Sequence, residues 1–444
     1  ASIYGARAAN GVVIINTKRG KEGEFNVNLD AYFGVQKAAK QLRMLNAQQF
    51  GDMLWQAMKN DGKTPSHDIY GNGDQAVVPE YLDSDHLIPS DDVDWVDEIL
   101  RAAVVQSYNL SFTKADKKSN QLFSLGYYDQ QGLVKFSDFK RVSGRFNSEY
   151  KLFDDHFRIG ENISLSHSWG TSVSNNAALG GTLYEAYKFQ SITPVKNLED
   201  EYAGNVFSDI PNPMGKLYRN KDNQDKKSRL VGNLYAELHL FDGLMFKTSF
   251  GVDYNNLYRR SFSPKYDELN ASEKLSSLSN RNAWNFNWVF TNTLTYNKTF
   301  GDHTINALLG MESLRNRYEY FTASRDGFPS DDPNFRFLDA GDVGTQKNSG
   351  AATEYSMVSY FGKLDYNYHD RYLVAFTLRR DGSSRLGNNK WGNFPAASVG
   401  WRISNEPFFD VEAISNLKVR VGWGQNGNCL LYTSDAADDL IGVD

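Results

Sequence analysis

Trp284-Asn285-Phe286-Asn287-Trp288-Val289-Phe290-Thr291-Asn292-Thr293-Leu294-Thr295-Tyr296 decides the fold class. Trp284, Phe286, Trp288, Phe290, Leu294 and Tyr296 alternate with Asn285, Asn287, Thr291, Thr293 and Thr295. A period of two puts large apolar groups on one face of a strand and amides and hydroxyls on the other. The same rhythm sets Phe25, Val27, Leu29, Ala31 and Phe33 against Asn26, Asn28, Asp30 and Tyr32. It also sets Val358, Tyr360, Leu364, Tyr366 and Tyr368 against Ser359, Lys363, Asp365 and Asn367.

Working outward from these stretches, the pattern predicts strands over 25–34, 104–113, 121–130, 139–150, 157–169, 231–241, 244–256, 284–300, 303–318, 355–368, 371–380, 395–403 and 416–424. Most are about ten residues long, whereas soluble strands run about five or six. A tilted strand crossing a membrane needs about nine to eleven. The joins near 114–120, 151–156, 242–243, 301–302 and 369–370 are tight, and the long joins 35–103, 170–230, 257–283 and 319–354 fall between them. Three joins break this rule: 131–138 and 381–394 are short for the long side, and 404–415 is long for the tight side. Short turns on one side and long loops on the other characterise outer-membrane barrels.

Composition agrees. The 444 residues are 40% hydrophobic and 14% aromatic, with 25 Tyr and 28 Phe. No run approaches the roughly 18 apolar residues of a membrane helix, and a barrel stays polar on average because only alternate residues face lipid. A net charge of −6 leaves no basic footprint for nucleic acid. The single cysteine, Cys429, excludes an internal disulfide framework and a cysteine-based zinc site. Alternation alone would also suit a soluble sandwich. Strand length, aromatic load and loop asymmetry together favour the membrane.

The start of the chain differs. Gly11 precedes Val12-Val13-Ile14-Ile15, a run that predicts a strand buried on both faces within a small unit ending near Gly23. The chain opens on Ala1 with no start Met or signal peptide, so an N-terminal portion is expected to be missing. Asn46 is expected to cap a helix with Phe50, Met53, Leu54, Ala57 and Met58 on one face, ended by Asp61-Gly62, and a second helix is expected from Asp94.

Catalytic chemistry finds no support. The seven histidines are scattered, and the acidic run Asp91, Asp92, Asp94, Asp97 and Glu98 lacks calcium-loop spacing and reads as a solvated helix start. Gly71-Asn72-Gly73-Asp74 is a turn, and no nucleophile elbow or Walker sequence occurs. No enzyme activity, metal or cofactor is expected. Arg379-Arg380-Asp381-Gly382-Ser383-Ser384-Arg385 reads as a rim turn braced by Arg–Asp pairs. Trp391 reads either as an interfacial girdle residue or as a stacking platform for sugar rings.

Several motifs resemble one family. Tyr4-Gly5-Ala6-Arg7-Ala8-Ala9-Asn10-Gly11, followed by the apolar run into Thr17-Lys18, resembles the plug end of SusC/RagA-type TonB-linked outer-membrane proteins. Asp94-Trp95-Val96-Asp97-Glu98-Ile99-Leu100, Gly126-Tyr127-Tyr128, the 379–385 motif with Trp391-Gly392-Asn393-Phe394-Pro395, and Gly400-Trp401-Arg402-Ile403-Ser404 follow in family order.

The resemblance implies an all-β fold: the C-terminal end of a plug over 1–23, then about 13 of some 22 antiparallel strands of a transmembrane barrel over 24–428. The stretch 429–444 breaks the alternation and is expected to be a non-native tail. Tyr4, Gly5, Arg7, Asn10 and Gly11 become a plug-packing motif, and Asp381, Gly382, Ser383, Arg385 and Trp391 a family motif at the barrel rim. The implied function is outer-membrane import of oligosaccharides or peptides, driven through TonB, ExbB and ExbD, with a SusD-like surface lipoprotein as lid. A receptor for an iron chelate and a soluble β-rich carbohydrate-binding protein remain the alternatives.

Overall fold

The computed structural model describes residues 2–8, 11, 23–174, 180–411 and 413–427. The expected strand over Val12–Ile15 and the expected tail over 429–444 lie outside the described residues.

Thirteen long strands form one antiparallel sheet in chain order. They are β1 (Phe25–Gln36), β2 (Ala103–Ala115), β3 (Ser119–Gln131), β4 (Asp138–Leu152), β5 (Phe157–Gly170), β6 (Gln224–Phe241) and β7 (Leu244–Ser263). After a small hairpin, β8 (Tyr266–Glu268) and β9 (Ala271–Glu273), come β10 (Ser277–Phe300), β11 (His303–Asp326), β12 (Lys347–Tyr368), β13 (Tyr372–Ser383), β14 (Trp391–Arg402) and β15 (Lys418–Gly424).

The registers carry the apolar set of every strand onto one face. Leu364 stands opposite Phe376, Phe376 opposite Ala397, Phe290 opposite Phe250, and Leu29 opposite Leu110. That face is bare: Leu29, Phe123, Leu165, Leu234, Phe250, Leu309, Leu364, Phe376 and Val399 are all exposed. In water such a surface would far exceed the apolar patches that soluble monomers tolerate. No second protein layer covers it among the described residues, so this is the hydrocarbon-facing side of a wall.

Its height fits a bilayer. From Phe286 to Tyr296 is about 34 Å along the strand, or about 26 Å at a tilt of about 40°. Aromatic pairs mark both borders. Tyr368 stacks on Tyr372 at 6.4 Å near the tight turns, and Tyr360 stacks on Trp391 at 6.3 Å towards the loops. Beyond the upper border the same face turns ionic, with Arg315 paired to Glu354 and Arg317 to Glu319 at 2.7 Å.

This ionic extension explains where the predicted strands fall short. β6, β7, β10, β11 and β12 run seven or eight residues further at their outer ends than alternation indicates, β10 starting at Ser277 instead of Trp284. There ion pairs and loop residues replace lipid, Phe262 and Leu278 packing against Phe328, so the hydrophobic period disappears while the hydrogen-bond ladder continues. The predicted turn at 381–394 shrinks for a similar reason. β13 stays paired through Ser383 and β14 resumes at Trp391.

The long loops fold on themselves. Asn46 caps α1 (Ala47–Asn60) in a reciprocal box with Gln49, and Asp94 caps α2 (Trp95–Ile99) through the N–H groups of Val96 and Asp97. Two further helices, α3 (Thr182–Lys188) and α4 (Pro213–Asn220), escape the sequence pattern. Asn212-Pro213 was a readable start signal for α4, an N-cap followed by proline at the first helical position.

Replacing Phe376, on the lipid face, with Arg is expected to destabilise the protein in bilayers by about 2–4 kcal/mol. Ala375→Arg, on the opposite face, is expected to change stability far less. Denaturant unfolding in lipid vesicles checks the contrast.

Candidate functional site

The bare face of the wall looks to lipid; the other face receives the start of the chain. Ser2–Arg7 forms short 3-10 turns kinked at Gly5, where φ is 53° and ψ −122°. This segment lies against β12, β13 and β14. The registers put Glu312 opposite Ser359, Ser359 opposite Asp381, and Asp381 opposite Gly392, so two carboxylates sit in one row across three strands.

Asp381 is fully buried. Its Oδ2 accepts the Ala6 N–H at 2.7 Å and its Oδ1 accepts Arg379 Nε at 2.6 Å. Arg379, buried as well, donates from Nη1 to the Ile3 carbonyl at 2.9 Å and from Nη2 to Glu312 Oε1 at 3.1 Å. Glu312 also takes the guanidinium of Arg7. Phe361 closes the group from the side, its ring centroid 5.1 Å from the Arg379 guanidinium carbon. Every charge is paired, as burial requires. On the loop side of this clasp Ala6 packs with Leu314 and Met357, flanked by Tyr355 and Phe394.

Gly5 is required twice over. A Cβ there would lie 2.2 Å from Asp381 Oδ2 and 2.6 Å from Arg379 Cδ, and its positive φ disfavours any side chain. Gly11 has φ 88° with nothing within 4 Å of a Cβ, so its need is conformational only. Arg7 joins the clasp, Tyr4 is part-exposed, and Asn10 lies outside the described residues.

The 379–385 motif is not a rim turn as a whole. Asp381 and Ser383 point inward from β13, while Gly382 and Trp391 stand opposite each other on the outer face. A Cβ on Gly382 would meet the Trp391 ring at 2.9 Å. Arg380 lies 5.0 Å from that ring, and with Tyr360 stacked on it Trp391 sits in the upper aromatic border. Arg385 lies 4.0 Å over the Tyr355 ring, next to the Ala6 cluster. Glu312 was missed by the sequence reading. Only its position, an acid on the lumen parity of a wall strand, could have flagged it.

At the outer end, residues 37–102 and 180–223 fold into a cap. Trp95 meets Phe189 edge-on at 4.6 Å, and the N–H groups of Asp91 and Val93 donate to the carbonyls of Ile192 and Ser191. Glu268 of the β8–β9 hairpin fastens this cap. It is buried, accepts the Asn212 N–H at 2.7 Å and pairs with Arg219 at 2.5 Å. Burial pushes its carboxyl pKa above the ordinary range, although Arg219 pulls the other way. The undocked loops would have the lower pKa. Docking is therefore strengthened by acidification through the ordinary carboxylate range, and that gain is lost as pH rises through the raised value. Tyr70, buried against α1, is pushed up to about 12 by desolvation.

No family model matches the chain. Over 436 residues it is 29% identical to TonB-dependent receptor P3 of Formosa agariphila, covering 96% of this chain and 41% of that relative. Over 461 residues it is 28% identical to TonB-dependent receptor SusC of Bacteroides thetaiotaomicron, covering 96% of this chain and 42% of that one. The RagAB peptide importer in its "open-open" state superposes with a TM-score of 0.80 at 25% identity, over 96% of this chain and 49% of that chain. The chain thus spans about two fifths of the length of the curated relatives it matches.

Gly5→Ala is expected to detach residues 2–8 from the wall, with a backbone penalty of about 1–3 kcal/mol before the clash is counted. Hydrogen exchange at the Ala6 amide reads this out. In the cap, Arg219→Met strands the buried Glu268 and is expected to weaken docking by about 3–5 kcal/mol. Glu268→Gln is expected to be milder, because the amide keeps an acceptor for the Asn212 N–H and leaves no charge to desolvate. Limited proteolysis of the 171–223 and 264–276 loops compares the two.

Proposed function

From its similarity over 96% of its length to TonB-dependent receptors including SusC, we propose that the chain is of the SusC/RagA type and is part of an energy-driven importer of oligosaccharides or peptides. One observation carries the reading: the backbone of an N-terminal segment is hydrogen-bonded to a buried ion-paired group on the inner face of a wall whose outer face is fitted to hydrocarbon. On this reading residues 1–23 are the end of a plug and 24–428 the first part of the barrel that holds it. Tyr4, Gly5, Arg7, Asn10 and Gly11 shape the plug end. Asp381 and Ser383 face it, Arg385 braces Tyr355 beside it, and Gly382 and Trp391 anchor the same strands to the upper lipid border.

The mechanism follows from where energy is available. The outer membrane holds no ATP, so a stoppered barrel opens only if work reaches the plug mechanically from the inner membrane, through TonB, ExbB and ExbD. A clasp of buried, fully paired charges suits that task. It is stable at rest, and pulling the segment away strips the Ala6 N–H, the Ile3 carbonyl and the Arg7 guanidinium from their partners, while Arg379 keeps Asp381 and Glu312 in the wall, ready to take the segment back. The folded cap, with its own apolar clusters, offers a surface for a SusD-like lipoprotein acting as a lid over the outer loops. The protein is a transporter on this reading, and the residues described above do binding and gating, not bond chemistry.

Liposome swelling tests the proposal. The full-length receptor is expected to leave vesicles impermeable to small sugars when TonB is absent. Free flux through the unmodified protein would make it an open pore and overturn the reading. Growth of a deletion strain on single glycans, on peptides or under iron limitation then identifies the cargo class.

A further inference from the structure

Two of the tight turns neutralise themselves, Asp242 pairing with Lys298 and Asp370 with Arg402, and in a third Asp302 lies 2.9 Å from the His369 ring. The neighbouring β2–β3 and β4–β5 turns do the reverse. Lys114, Lys117, Lys118 and Lys151 gather there, with the Lys151 N–H donating to the Lys118 carbonyl at 2.8 Å. None of the four makes an ion pair among the described residues. The acids in these two turns are Asp116, Asp154 and Asp155. Asp116 is occupied by its own turn, accepting the N–H groups of Lys118 and Ser119 at 2.8 and 2.7 Å, and Asp155 is held by Arg158. Four cations therefore face one uncommitted carboxylate, Asp154.

Between the two turns lies an open depression of about 540 Å³, lined by Lys117, Lys118 and Lys151, by Asp116 and Ser119, whose polar groups are taken up within their own turn, and by Tyr150 and Leu152 as apolar lining. Tyr150 and Leu152 share the register face of Phe146, the hydrocarbon side, and Phe153 at the turn tip is 78% exposed. Lys114, Gln121, Ser148 and Glu161 stand in one register row on that same face. Ser148 donates to Glu161, and Gln121 Nε2 donates to the Tyr150 hydroxyl at 3.0 Å. At the tight-turn ends of β12, β13 and β14 the outward positions are instead Tyr368, Tyr372 and Trp401. A polar row thus crosses the apolar face along β2 to β5, with Tyr150, Leu152 and Ile159 continuing that face below it towards the turns.

We propose that these two turns bind the headgroup of an anionic phospholipid of the inner leaflet. The lysines take the phosphate, and an acyl chain lies along Leu152, Tyr150 and Phe146. A free anion would need the lysines alone. The apolar lining at the edge of the hydrocarbon belt is what selects a lipid. The inference rests on the membrane placement of the wall and not on any cargo, so it stands apart from the import reading.

The test uses the full-length receptor in nanodiscs of equal phosphatidylglycerol and phosphatidylcholine, with lipids retained after release counted by native mass spectrometry. The wild type is expected to retain phosphatidylglycerol selectively. Lys118→Gln with Lys151→Gln is expected to lower that selectivity about fivefold per lysine removed. Lys117→Gln, at an exposed turn position, supplies an independent reading if the double variant folds poorly. Lys298→Gln, whose lysine is already paired with Asp242, is expected to behave as wild type. Unchanged selectivity in both turn variants would overturn the proposal, as would an equal loss in Lys298→Gln. Displacement of the lipid by millimolar inorganic phosphate would show a free-anion site and overturn it too.

Discussion

Hydrocarbon offers no hydrogen-bond partner, and the rest of this structure depends on that. A backbone amide left unpaired in lipid costs several kcal/mol, so each wall strand pairs with its sequence neighbours along its length. Once the ladder is complete, the side chains divide by parity alone. Odd and even positions are committed to lipid or to the interior for the whole length of a strand, and one slip of register would reverse every commitment. The long uninterrupted registers between β10, β11 and β12 therefore do two jobs. They satisfy the backbone, and they align side chains from distant parts of the chain into rows.

The clasp is one product of that alignment. Arg379 and Asp381 come from β13, Glu312 from β11, and the Ala6 amide and Ile3 carbonyl from the first residues of the chain. Each alone would be a poor thing to bury. Together they leave no charge without a counter-charge, and Gly5 gives up its side chain so that the backbone can approach. The cap follows the same logic away from the membrane. There Glu268 and Arg219 join loops that have little apolar surface in common, and burial rather than the arginine dominates the carboxyl's behaviour.

The sheet was legible because lipid demands alternation, and alternation is a one-dimensional signal. Inner strand ends such as Phe300 and His303, and the helix caps Asn46 and Asp94, could be read from local chemistry for the same reason. The outer strand ends were not legible, because above the bilayer no lipid enforces parity: ion pairs and loop residues such as Phe328 cover the outer ends of β10 and β11, and no pattern remains. Helix α3 was invisible because it is seven residues long and opens at Gly181 without a side-chain cap.

By itself, the sequence determined which residues face lipid, roughly how many strands there are, and on which side the long loops fall. Each of these follows from the order of apolar and polar groups over a few residues. Only the tertiary structure decided that Asp381, two residues from the end of β13, is a buried anchor and not a turn residue, and that Glu312 shares Arg379 with it. The physical reason is register: which side chains share a row is set by how strands pair, and positions 5, 312 and 381 become neighbours only after the ladder has closed between them.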